Sequence, residues 1–108
     1  SFGAFIALNL LMRRPEIQNF IAISPPADKY DFSFLAPCPV SGMIMQGDND
    51  DIVNETDVAL FANKLDSQRS INIKYSKIKG ADHFFTDKLD IVNSNIKKYV
   101  SKNLISNI

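Results

Sequence analysis

Ser1, Asp50 and His83 are the side chains whose types, order and spacing could do chemistry together. A serine hydroxyl becomes a nucleophile when a base removes its proton. An imidazole serves as that base when an acid fixes its tautomer and stabilises the imidazolium. The chemistry would be acyl transfer through a covalent serine ester. Ser1-Phe2-Gly3 reads as the S-x-G remainder of a G-x-S-x-G turn, which holds a serine on a strained corner between a strand and a helix. The backbone N–H of Phe2, at the helix start just after the serine, would then face the developing oxyanion. S-x-G alone is a weak signal, because both residues are common. It gains weight from the acid and the histidine that follow it in the order Ser, Asp, His.

His83 is the single histidine, so any imidazole-based mechanism must use it; the alternative is a histidine with no chemical role. Asp50 lies in Gly47-Asp48-Asn49-Asp50-Asp51-Ile52-Val53, where Gly47 permits a tight turn and Ile52-Val53 can anchor its far side. That makes Asp50 the first candidate to orient His83. Asp48 and Asp51 are its rivals, and an acidic turn ahead of a helix also serves the helix dipole. Asp82, adjacent to His83, is expected to diverge from it and serve its own loop. Cys38 in Pro37-Cys38-Pro39 has no neighbouring base and reads as a small apolar filler. Tyr30, Phe32, Phe34, Phe84 and Phe85 could line an acyl pocket, although aromatics in such positions more often belong to the core.

The elements that must position these residues follow from hydrophobic period. Phe5, Ile6, Leu8, Leu10, Leu11 and Met12, stopped by Pro15, predict a helix over about residues 2–14. Residues 17–23 read as a buried strand closed by Ser24-Pro25-Pro26, and 27–38 as a loop or one helical turn. Residues 40–47 read as a second buried strand. Asn54 can cap a helix running to about Leu65, with Asp57 favourably placed in its first turn. Residues 71–78 alternate apolar and polar, as expected of a strand with one wet face near a sheet edge. After the loop at 80–85, Leu89, Val92, Ile96, Tyr99 and Val100 predict a helix over 86–104. This alternation predicts an α/β domain, a parallel sheet of about three strands flanked by helices. Its strands would end at Ser24, Gly47 and Ile78, the side on which open α/β sheets bind ligands.

Composition removes other classes. Twelve Lys+Arg balance twelve Asp+Glu, so there is no basic excess to attract nucleic acid. The apolar run over 4–12 falls short of the ~18–20 residues that span a bilayer, so no membrane partner is expected. One histidine and one cysteine do not make a usual zinc site, and neither a metal nor a cofactor is required. The lone cysteine fits a reducing compartment, and the expected location is cytoplasmic.

With these residues in view, the chain resembles the C-terminal half of an α/β-hydrolase, of the small bacterial branch similar to dienelactone hydrolases and carboxylesterases. The resemblance rests on Ser1-Phe2-Gly3-Ala4, Pro25-Pro26 with Tyr30-Asp31-Phe32-Ser33-Phe34-Leu35, the acid turn Gly47–Val53, and Gly80-Ala81-Asp82-His83-Phe84-Phe85. It runs collinearly over essentially the whole chain. It implies Ser1 as nucleophile, Asp50 as triad acid, His83 as base and Phe2 as an oxyanion donor, acting on small ester or acyl substrates. Asn54 stands where relatives commonly have proline, a change that helix capping would absorb. The resemblance also implies that residues 1–108 form a partial domain lacking the strand before the nucleophile and the loop with the second oxyanion donor. Self-association through an unpaired sheet edge is expected to follow. The competing reading is a non-catalytic α/β packing or binding domain that retains the triad positions.

Overall fold

The computed structural model describes residues 19–29, 31, 32, 38, 40–68 and 70–106, the last four by backbone alone. Ser1, Phe2 and the helix expected over 2–14 lie outside the described residues, as do Tyr30 and Phe34. Among the described residues the order is β1 (Asn19–Ile23), β2 (Ser41–Gly47), α1 (Glu55–Asp66), β3 (Ile73–Ile78) and α2 (Leu89–Ser106). The strands form one parallel sheet in the order β1-β2-β3. Asn19 pairs with Ser41 at one end, and Gly47 stands level with Ile78 at the other. Consequently β2 and β3 finish on the same rim, and the turns that follow them emerge side by side.

Each face of β2 has its own core. Ile44 packs with Val53, Val58, Ala62, Leu65 and Ala22 under α1, joined by the buried Phe32 and Cys38. Met43 and Met45 pack with Ile78, Ala81, Phe85 and Val92 under α2. At about 1.5–3 kcal/mol for each large apolar side chain fully buried, the central strand carries much of the stabilisation. Helix α1 begins where Asn54 Oδ1 accepts the Thr56 N–H at 2.8 Å, with Glu55 and Asp57 in the first turn. Its buried stripe is Val58, Ala62 and Leu65. The Tyr75 hydroxyl donates to Glu55 Oε2 at 2.6 Å and fastens the start of this helix to β3. Burial and that carboxylate push the Tyr75 phenol pKa up.

Two expectations are corrected in detail. β1 is not buried on both faces: Ala22 is enclosed, but Ile21 and Ile23 are 36% and 39% exposed. The cluster beneath α2 centres on β2 and β3, and touches β1 through the Tyr99 hydroxyl, which donates to Asn19 Oδ1 at 3.0 Å. Helix α2 starts at Leu89 rather than Thr86. Thr86 is engaged by Asp82, and Asp87 holds a left-handed φ of 59°, which a right-handed helix cannot contain. Leu89 is accordingly off the packed stripe and 62% exposed.

Candidate active site

The acid turn and the histidine loop continue the β2 to β3 pairing beyond the strands. The Asp48 N–H donates to Ile78 O at 3.2 Å and the Asn49 N–H to Ala81 O at 3.0 Å, while Asp48 Oδ1 accepts the Gly80 N–H at 2.6 Å. Gly47 is needed for close approach rather than for a tight turn. Its φ is not left-handed, but a Cβ there would collide with the Ala81 carbonyl and its carbon. Gly47→Ala must therefore push the two loops apart. A loss of about 1–3 kcal/mol is expected, the usual size for overpacking against backbone, measurable by urea unfolding. A variant as stable as the parent would show that the loops separate freely.

These turns bring Asp50 and His83 together, with Asp50 Oδ2 2.8 Å from His83 Nδ1. The Asp50 side chain is wholly enclosed, and that of His83 is 10% exposed. Four donors converge on the carboxylate: Ile52 N–H and Val53 N–H reach Oδ1, and Gln46 Nε2 and His83 Nδ1 reach Oδ2, each at 2.8 Å. Burial alone would raise the carboxyl pKa. The hydrogen bonds from Val53, Gln46, His83 and Ile52 outweigh it and hold the group below its ordinary value.

A depressed folded-state pKa contributes stability that is fully present above the unfolded value, near ~3.9, and disappears as pH falls through the folded value. Asp50→Asn is therefore expected to flatten the acid side of the stability curve below about pH 4, as read by urea unfolding across pH. An unchanged acid limb would remove Asp50 from that linkage.

The rivals have other tasks. Asp48 caps Gly80, and Asp51 is exposed. Asp82 diverges from His83, as its position predicted, and accepts from Phe84 N–H at 3.1 Å, Thr86 N–H at 2.9 Å and the Thr86 hydroxyl at 2.7 Å. Those contacts curl the histidine loop. Phe85, buried at 3% exposure, roots it in the core beneath α2, and Phe84 stands exposed with its ring edge-on to His83, centroids 5.2 Å apart. Of the aromatics considered for an acyl pocket, Phe32 and Phe85 are core. Cys38 is buried too, and enclosure pushes its thiol pKa up, as suits a filler.

Several neighbours carry no local signal in the sequence. Gln46, wholly buried, was submerged in the apolar run of β2. A polar residue closing a buried strand requires an internal partner, and that rule could have singled it out. Ser24, directly after β1, has a left-handed φ of 51° and is buried; its N–H donates to Met45 O at 2.9 Å and its hydroxyl lies 3.5 Å from the His83 carbonyl. Asp28 accepts the Asn54 N–H at 3.1 Å, and Lys29 Nζ donates to the Ile52 carbonyl. The turn after β1 thus braces the acid turn from its other side. Among the described residues no cluster of His, Cys, Asp and Glu could hold a metal ion, and no helix is long and apolar enough to cross a membrane.

A parallel sheet with helices on both faces, presenting an Asp–His pair from adjacent loops at its C-terminal rim, is part of an α/β-hydrolase fold. Over 104 residues the chain is 56% identical to an uncharacterised protein of Rickettsia prowazekii (strain Madrid E), covering 93% of this chain and 44% of that one. It superposes with a TM-score of 0.93 on a protein of unknown function from Agrobacterium tumefaciens, proposed to be an α/β hydrolase, at 45% identity, covering 95% of this chain and 47% of that one. The TM-score is 0.79 against an α/β serine hydrolase without a lid from Xanthomonas campestris, at 30% identity, covering 94% of this chain and 44% of that one. No protein-family model matches the chain. The chain spans about half the length of each of these relatives, and it is related to proteins described as α/β serine hydrolases.

Proposed function

We propose that the chain carries the acid and base of a serine hydrolase acting on small ester or acyl substrates through an acyl-enzyme, with Ser1 as nucleophile. The contact that carries this reading is the 2.8 Å approach of His83 Nδ1 to the enclosed Asp50 carboxylate. With Nδ1–H donating to that carboxylate, the Nε2 lone pair is the acceptor, as a general base requires. Nε2 takes the Ser1 proton while the serine oxygen attacks the acyl carbon. The oxyanion formed is met by the Phe2 N–H. Collapse expels the alcohol, protonated from Nε2, and water attacking the ester by the same route frees the acid.

The test is a fluorophosphonate probe applied to this chain and to a version lengthened upstream of Ser1. Labelling at Ser1 that disappears in His83→Ala is expected. Absence of labelling in both would favour a non-catalytic packing domain. Among the described residues β1 pairs only with β2, and unpaired edges of such strands tend to associate. The apparent mass in sedimentation should therefore rise with concentration, and a monomer throughout would remove self-association from the reading.

A further inference from the structure

We infer that Gln46 is a positioning residue for the acid and base, holding Asp50 Oδ2 from the sheet side so that the same oxygen faces His83. The inference rests on the reading of Asp50 and His83 as an acid and base pair. Gln46 is the penultimate residue of β2 and has no exposed surface. Its Nε2 donates to Asp50 Oδ2 at 2.8 Å and lies 3.1 Å from Gly47 O and 3.4 Å from Val53 O. One amide nitrogen thus binds the first residue of the acid turn, its carboxylate and its last residue. Three acceptors around that atom also identify it as the nitrogen, since an oxygen there would face only lone pairs.

The other end of the side chain argues against a purely stabilising role. Gln46 Oε1 is buried and has no hydrogen-bond partner among the described residues. An enclosed acceptor without a donor costs free energy, and an apolar residue of similar shape would remove that cost. A methionine would fill the strand position without an orphaned oxygen. What it could not do is donate to Asp50.

The backbone amides of Ile52 and Val53 grip Oδ1 alone and leave the carboxylate free to pivot about that oxygen. Gln46 supplies the second point of attachment. It reaches Oδ2 from the strand, while His83 reaches the same oxygen from the loop after β3. With both ends of the carboxylate held before His83 approaches, no ordering remains for the histidine to impose.

Because His83 is the single histidine, its ring signals can be read without ambiguity by NMR in this chain, whether or not the chain hydrolyses anything. In the parent, the neutral ring should carry its proton on Nδ1, and the Asp50 carboxyl should titrate below the ordinary range. In Gln46→Met the Asp50 titration should move upward, and the neutral ring should become a mixture of tautomers. Where turnover is measurable, kcat should fall about tenfold to hundredfold with KM nearly unchanged, the size expected for one hydrogen bond to a charged group. An unmoved Asp50 titration with an intact Nδ1–H tautomer overturns the inference.

If the methionine variant does not fold cooperatively, Gln46→Glu serves instead. It would set a second carboxyl against Oδ2, and the pair should retain one proton well above the ordinary carboxylate range. Two independent, ordinary titrations would overturn the inference in that case. Loss of Ser1 labelling with the NMR results as expected would sink the hydrolase reading and leave the Gln46 contact standing.

Discussion

With Ser1, Asp50 and His83 acting as proposed, Asp50→Asn should lower kcat on a small activated ester by about four orders of magnitude, in line with the loss when a triad acid can no longer hold its histidine's tautomer. The surroundings of Asp50 make the substitution severe. Two donors meet each carboxylate oxygen, Ile52 and Val53 at Oδ1 and Gln46 and His83 at Oδ2. An amide has one acceptor where the site needs two, so in either orientation its NH2 group faces a pair of donors. If it faces the two backbone amides, the acid turn loses its closure. If it faces Gln46 and His83, the ring must accept through Nδ1 and carry its proton on Nε2, where a base needs a lone pair. Asp48→Asn is the control, because an amide oxygen can still cap Gly80 and the residue is exposed. Its effect on kcat should stay within about tenfold, less than a catalytic hydrogen bond commonly supplies. Comparable losses at both positions would make Asp48 the acid or make the effect structural.

The order of elements was legible because periodicity reports burial. The Met-Ile-Met core of β2, the Asn54 cap and the alternation of β3 each signal a local state that the sheet reinforces. The expected anchor of the acid turn is half right: Val53 is buried in the core, but Ile52 is 41% exposed, and what fixes Asp50 is that its Oδ1 accepts the Ile52 and Val53 N–H groups. What escaped depends on contacts between distant segments. Nothing local in Asp28 or Lys29 announces that they grip the acid turn more than twenty residues away. In the sequence Gly47 suggests conformational freedom, whereas its role is to let the Ala81 carbonyl approach, a fact that exists only once β2 and β3 are paired. The left-handed backbone at Ser24 and Asp87 likewise belongs to non-glycine residues that propensity would not place there.

Phe84 and Phe85 are one residue apart and should differ sharply on mutation. Phe85 is 3% exposed and packs with Met43, Met45, Ile78, Ala81 and Val92, so Phe85→Ala is expected to cost about 3–5 kcal/mol in urea unfolding. Against a total of ~5–15 kcal/mol for a small domain, that is a large share. Phe84 is 71% exposed and its ring stands at right angles to that of His83, so Phe84→Ala should change stability by no more than about 1 kcal/mol. The backbone adds a finer test. Phe85 holds a left-handed φ of 56°, which alanine leaves strained and glycine relieves by about 1 kcal/mol. Phe85→Gly should therefore be less damaging than Phe85→Ala, the reverse of the usual order for these two residues. Both variants should also loosen His83, since the loop that carries it is rooted by this ring, and the Nδ1–H tautomer should be lost even where the fold survives. A glycine variant less stable than the alanine one would mean that the strain is absent. A His83 ring unchanged in both would mean that the Asp82 turn alone holds the histidine in place.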